Sequence, residues 1–156
     1  MTKRERISDF VRSFDEAPPS EMRIPDYYGV FFQLWNARRY YEAHDVLEQL
    51  WLAEKDLELA RFYQALIQAA GAFVHLQKNF EYPTHAKHGR RLRPAGRLFA
   101  LALRNLEHLP NEFRALDLER FRQTLARYHD ELTESHFERN PWSPQTAPQL
   151  SLSAGK

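Results

Sequence analysis

A chain of 156 residues with 43% hydrophobic, 28% charged and 13% aromatic residues has the length of one domain and the apolar material to bury a core. Its 22 Lys and Arg against 21 Asp and Glu leave a net charge of +1, so no global field draws it to nucleic acid or to an anionic membrane. The absence of cysteine excludes disulfides, zinc–thiolate sites and thiol catalysis.

The charged opening residues lack a signal-peptide core, and no stretch reaches the roughly twenty apolar residues of a membrane span. The expectation is a soluble, cytoplasmic protein. Ile7, Phe10, Val11 and Phe14 form one stripe of a short peripheral helix that Pro18 and Pro19 would end. A second helix is predicted from near Pro25 through Tyr27, Tyr28, Phe31, Phe32, Leu34 and Trp35, with aromatics on most faces and hence deep burial. After a connection at Asn36 to Arg39, the segment Tyr40 to Ala53 is amphipathic, with Ala43, Val46, Leu47, Leu50 and Trp51 on one side.

Asp56 is placed to cap a long central helix through Lys78, apolar over more than half its circumference. Asn79 to Thr84 is the clearest break. The next helix carries Leu92, Ala95, Phe99, Ala102, Leu103 and Leu106 on one face, with Pro94 predicted to kink it or to mark its start. Pro110 closes that element, and Asp117 caps a last helix through Leu118, Phe121, Leu125, Tyr128 and Leu132 to about His136. From Asn140 to Lys156 no periodic apolar face remains, and the segment reads as a disordered tail following a single domain over residues 1–139. Five Gly, no alternating strand pattern and short connections predict an all-α fold, a compact antiparallel bundle of five to six helices.

The third helix carries the strongest constellation. His44 and Glu48 are separated by one helical turn and share a face at the edge of the apolar stripe, beside Trp51. An imidazole next to a carboxylate could be a base with its orienter or a pair of metal ligands. It could equally be a surface ion pair or a buried contact that fixes packing. On the central helix Arg61, Gln64, Gln68 and His75 form a narrow polar stripe bordered by Gly71. It either faces water or lines a polar pocket against the His44–Glu48 edge.

His85 and His88 lie one turn apart without a positioned acid, which reads as solvent-exposed histidines rather than a metal site. Lys87, Arg90, Arg91, Arg93, Arg97 and Arg104 meet no acid between Thr84 and Asn105. Nothing aromatic interleaves them for base stacking, so the reading is a solvated face balanced by Asp117, Glu119, Asp130, Glu131 and Glu134, not a nucleic-acid surface.

Trp35-Asn36, Tyr41-Glu42-Ala43-His44-Asp45, Glu48 and Trp51, followed by Arg61 to Gln68 and Lys78-Asn79, resemble the signature of the domain of unknown function 309 family. The resemblance covers about Val30 to Leu109. It implies a compact all-helical fold, carries over Glu42, His44, Glu48, Trp51, Gln64 and Gln68 as characteristic positions, and implies no activity. The chain departs from the pattern at Ala65 and in its His-bearing stretch from Phe80 to His88.

Two functional readings follow. In the first, a polar pocket between the third and fourth helices binds a small ligand or metal through His44, Glu48 and Gln68, with Gln64 and His75 as further candidates. In the second, the same residues are structural and the chain is a non-enzymatic interaction module whose basic face meets an acidic protein partner.

Overall fold

A computed structural model describes residues 1–14 and 26–153. Among these, six α-helices run in chain order: α1 (Lys3–Arg12), α2 (Tyr27–Asn36), α3 (Tyr40–Ala53), α4 (Leu57–Glu81), α5 (Leu92–Leu106) and α6 (Leu118–Glu134). A 3₁₀ turn, His88–Arg90, precedes α5, and a small hairpin of β1 (Glu112–Phe113) and β2 (Leu116–Asp117) precedes α6. Successive helices from α2 to α6 pack on one another in the all-α bundle expected from the periodicity, and α1 lies against α3. Pro18, Pro19 and Pro25 lie outside the described residues.

The helix starts follow from side-chain caps. Thr2 and Glu5 form a reciprocal capping box on α1. Asp26, Asp56 and Asp117 each accept the backbone N–H three residues on, at Gly29, Leu59 and Arg120. α4 runs past the predicted stop at Asn79 as far as Glu81, because Asn79 is buried on its inner face and donates to the Gly89 carbonyl at 3.0 Å. Pro94 marks the start of α5 to within two residues, the helix beginning at Leu92. It sits in the first turn, where its missing N–H costs the helix little.

Phe73, at the middle of α4, is the centre of the core. Around it lie Trp35 at 4.9 Å, Tyr40 at 5.3 Å, Phe99 at 5.2 Å and Tyr128 at 4.9 Å between ring centroids, contributed by four other helices. Three of these pairs are edge-on, the arrangement that ring quadrupoles favour. Arg122 of α6 ties the layers at one end. Its guanidinium donates to the carbonyls of Leu106 and Leu109, capping the C-terminal end of α5 with a positive charge.

The hairpin was not expected from the sequence. Its turn residues Arg114 and Ala115 both take positive φ, at 48° and 64°, a conformation usually left to Gly or Asn. Docking holds it there: the Tyr28 hydroxyl donates to the Arg114 carbonyl at 2.8 Å, and the Arg114 guanidinium lies 4.9 Å from the Tyr28 ring centroid.

The expectation of a disordered tail from Asn140 is corrected for residues 140–153. Beyond α6 the chain reverses through His136 and Phe137, both at positive φ, and the Phe137 ring then packs against Gly96, where an added Cβ would come within 2.7 Å of it. Asn140 donates to the Leu76 carbonyl at 2.7 Å, and Trp142, only 3% exposed, donates from Nε1 to the Tyr40 hydroxyl at 3.2 Å. Pro148, Leu150 and Leu152 then run extended across the end of α2 to the hairpin, where Leu152 bridges Leu116. No periodic face is needed for this docking, which uses one aromatic anchor and hydrogen bonds from side chains to backbone. That is why amphipathicity did not reveal it.

Candidate functional site

The α3 motif forms the outer face of the bundle beside α1. His44 and Glu48 are both half-buried, but they do not pair. His44 Nδ1 lies 3.3 Å from Asp45 Oδ1, whereas Glu48 Oε1 accepts from Lys3 Nζ at 3.5 Å. Lys3 also reaches Asp45 at 3.7 Å, and Asp45 first, then Glu48, holds its ammonium above the usual lysine range. Glu42 is taken by Arg39 of the preceding turn, through Nε–H to Oε1 at 2.8 Å. The Tyr41 ring stacks loosely on His44 at 6.4 Å and is mostly exposed, while Trp51 is half-buried against the core. The acids of the motif are therefore engaged by cations of α1 and of the α2–α3 connection.

The polar stripe of α4 faces the other way. Gln68 accepts from Asn105 of α5 at 2.8 Å, and Leu98 of α5 lies against Gly71. His75 meets Arg91 at 3.1 Å, just ahead of α5. Gln64 is half-buried on the same side of α4, and Arg61 is exposed. Gln68 and His75 thus engage the α5 side, not His44, and the predicted α3–α4 pocket is not assembled from these residues. Among the described residues, surface depressions of 820, 230 and 160 Å³ are lined by none of His44, Glu48, Gln64, Gln68 or His75. Among the described residues no three His, Asp or Glu side chains come together as a metal-binding group.

Arg91 organises the histidines. It donates from Nε to His88 Nδ1 at 2.8 Å and lies at 3.1 Å from His75 Nδ1 through its terminal nitrogen. Burial, then the charges of Arg91 and Arg97, lower the His75 imidazole to about 4, so it is neutral at pH 7 and can accept that hydrogen bond. His88 is lowered too, by desolvation first and then by Arg91. His85 Nδ1 accepts the backbone N–H groups of Lys87 and His88 at 3.0 and 3.2 Å, so it shapes a turn.

Arg90, Arg93, Arg97 and Arg104 are exposed along the outer side of α5 and the turn before it. Among the described residues none of the four arginines forms an ion pair with the acidic residues of α6. Arg93 lies 4.7 Å from the Phe137 ring centroid, and among the described residues the other three make no such contact.

Trp35 and Asn36 close the list of motif residues. Trp35 is fully buried and donates from Nε1 to the Pro148 carbonyl at 3.0 Å, while Asn36 bonds the backbone of Leu150 in both directions at 2.7 Å. Sequence reasoning missed this role, because the partners lie in the segment read as a tail. An isolated Trp142 beside Pro141 was the one available signal.

No curated protein and no solved structure matches the chain. Among the described residues no helix is long and apolar enough to cross a membrane. Residues 28–82 match the family model described as Domain of unknown function (DUF309), a span that holds almost all of α2 and the whole of α3 and α4.

Proposed function

We propose that this chain is a non-enzymatic protein–protein interaction module whose basic α5 face docks an acidic partner. The observation that carries the reading is the unpaired stripe. Arg93, Arg97 and Arg104 follow one another at four- and seven-residue intervals, so they project within a narrow angle of one helix face. Arg90 extends the row by one turn. Leu101, itself 40% exposed, lies beside it and offers an apolar contact next to the charges. An acidic amphipathic helix, with Glu at matching spacing and Leu at the neighbouring position, is complementary to such a surface. The dispersal of His44, Glu48 and Gln68 to separate partners supports a structural role for the α3 motif.

The test is fluorescence anisotropy with two probes, a Glu-rich amphipathic helical peptide and a duplex DNA oligomer. Parent protein is compared with the triple variant Arg90→Glu, Arg97→Glu, Arg104→Glu, chosen because among the described residues these arginines make no ion pair, side-chain hydrogen bond or ring contact. The expected result is peptide binding that weakens with salt and drops more than tenfold in the variant, with weak DNA binding. DNA binding tighter than peptide binding, with a steep salt dependence that the variant abolishes, would replace this reading by a nucleic-acid one. Equal behaviour of parent and variant toward the peptide would overturn it.

A further inference from the structure

The segment from Pro148 to Ser153 is bound in the manner of a peptide ligand. Along an extended chain, alternate residues present their N–H and C=O to the same edge. Here Pro148 and Leu150 address α2 in that alternation: Trp35 Nε1 donates to the Pro148 carbonyl at 3.0 Å, Asn36 Nδ2 donates to the Leu150 carbonyl at 2.7 Å, and the Leu150 N–H donates to Asn36 Oδ1 at 2.7 Å. On the far edge the Ser153 N–H donates to the Ala115 carbonyl at 2.8 Å, beside the Leu116–Leu152 bridge. The segment is held between α2 and the hairpin by these backbone groups and by side-chain bonds from Gln149 Nε2 to the Asn36 carbonyl at 3.1 Å and from Ser153 Oγ to Glu112 Oε1 and the Ala115 carbonyl, each at 3.2 Å.

Its apolar side chains are less deeply engaged. Leu150 and Leu152 are only half-buried, and Gln149, Ser151 and Ser153 are exposed, in contrast to Trp142 upstream, which is buried in the core. Between anchor and ligand lies a turn closed by the Ser143 and Thr146 hydroxyls, 2.8 Å apart. An open groove of 820 Å³ runs along the segment, bordered by Asn36, Leu116 and Thr124 as well as by the segment itself. A rooted strap, a hinge and a receptor that reads backbone are the elements of strand addition, in which main-chain bonds supply affinity and only alternate side chains supply selectivity.

We propose that the end of α2 and the hairpin form a receptor for extended peptides of the pattern Pro-x-Leu-x-Leu, occupied in cis by this chain's own Pro148–Leu152, and that a partner protein's peptide of that pattern binds by displacing the strap. The surface is distinct from the basic face of α5, and neither proposal depends on the other. A partner protein is favoured over a second copy of this chain as the source. The Trp142 root and the short connection after it already deliver the chain's own strap at an effective concentration on the order of mM, so an identical strap from another copy gains nothing. Only a segment with better side-chain contacts or a high local concentration competes.

The test uses the full chain and a fluorescein-labelled peptide spanning residues 147–153. The strap is weakened by Leu150→Asp with Leu152→Asp, which leaves the receptor residues unchanged. The peptide should bind this variant at least tenfold more tightly than the parent, and adding Asn36→Ala should remove that gain. Absence of peptide binding to the folded double variant overturns the proposal. So does a parent that forms strap-exchanged dimers insensitive to added peptide. Should the double variant fail to fold, amide exchange on the parent decides: the Leu150 and Ser153 N–H groups should exchange at least a hundredfold faster than those of Ala69 and Phe73, and equal protection overturns the proposal.

Discussion

The carboxamide of Asn36 meets the backbone of Leu150 as a neighbouring strand would, donating to its carbonyl and accepting from its N–H, each at 2.7 Å. One side chain thereby satisfies both main-chain groups of a residue 114 positions away. The bond closes a strap whose root is Trp142.

That root is expected to carry much of the fold's stability. Trp142 packs edge-on to Tyr40 and Phe80, at 6.1 and 5.5 Å between centroids. Its donation to the Tyr40 hydroxyl accompanies a burial that pushes the tyrosine up to about 12. Trp142→Ala should cost about 3–5 kcal/mol in urea denaturation, the range for deleting a large buried ring. Trp142→Phe keeps the ring contacts and loses one hydrogen bond, so it should cost about 1 kcal/mol. Truncation after Arg139 should lower the melting temperature by more than about 5 °C. A truncated chain as stable as the parent would show that the docking contributes nothing.

Stability should fall on acidification through His75. Its imidazole titrates at about 4 in the folded protein, against 6.5 for the unperturbed group. The unfolded chain therefore takes up a proton first. Stability is intact above pH 6.5, declines as the pH falls toward 4 and levels off below it. Discounted for the partial exposure of the ring, the loss should be about 1–2 kcal/mol. Denaturation at pH 7.5 and 4.5 reads it directly, and His75→Gln, which still offers Arg91 an acceptor, should flatten the profile by that amount. An unchanged slope in the variant would assign the acid sensitivity elsewhere.

His44 and Glu48 should prove energetically independent. Each has a different, partly exposed partner, so His44→Ala and Glu48→Ala should each cost less than about 1 kcal/mol. In a double-mutant cycle their effects should add to within about 0.5 kcal/mol. A loss of about 3–5 kcal/mol on His44→Ala alone would mark a buried coupled pair.

These outcomes separate what the sequence made legible from what it did not. Asp56 and Asp117 announced their helices because a cap is a local contact, settled within three residues. The aromatic faces of α2 and α4 were readable because burial follows the helical period. The pairing of Glu48 was not readable. Spacing places it a turn from His44, but Lys3, 45 residues earlier, occupies it in the folded chain. Gln68 went astray for a related reason, since a polar stripe says that a helix has neighbours without saying whether α3 or α5 provides them. The hairpin had no signal at all, because Arg114 and Ala115 lack the turn residues that would announce it.

The position of Trp142 also sets an order of events during synthesis. Residues 1–139 contain every α-helix described, yet the slot beside Tyr40, Leu76 and Phe80 stays open until the indole behind them has been translated and has cleared the ribosomal exit. A nascent chain stalled before that point would leave the Tyr40 edge of the core uncovered, so completion of the core is tied to translation reaching the strap.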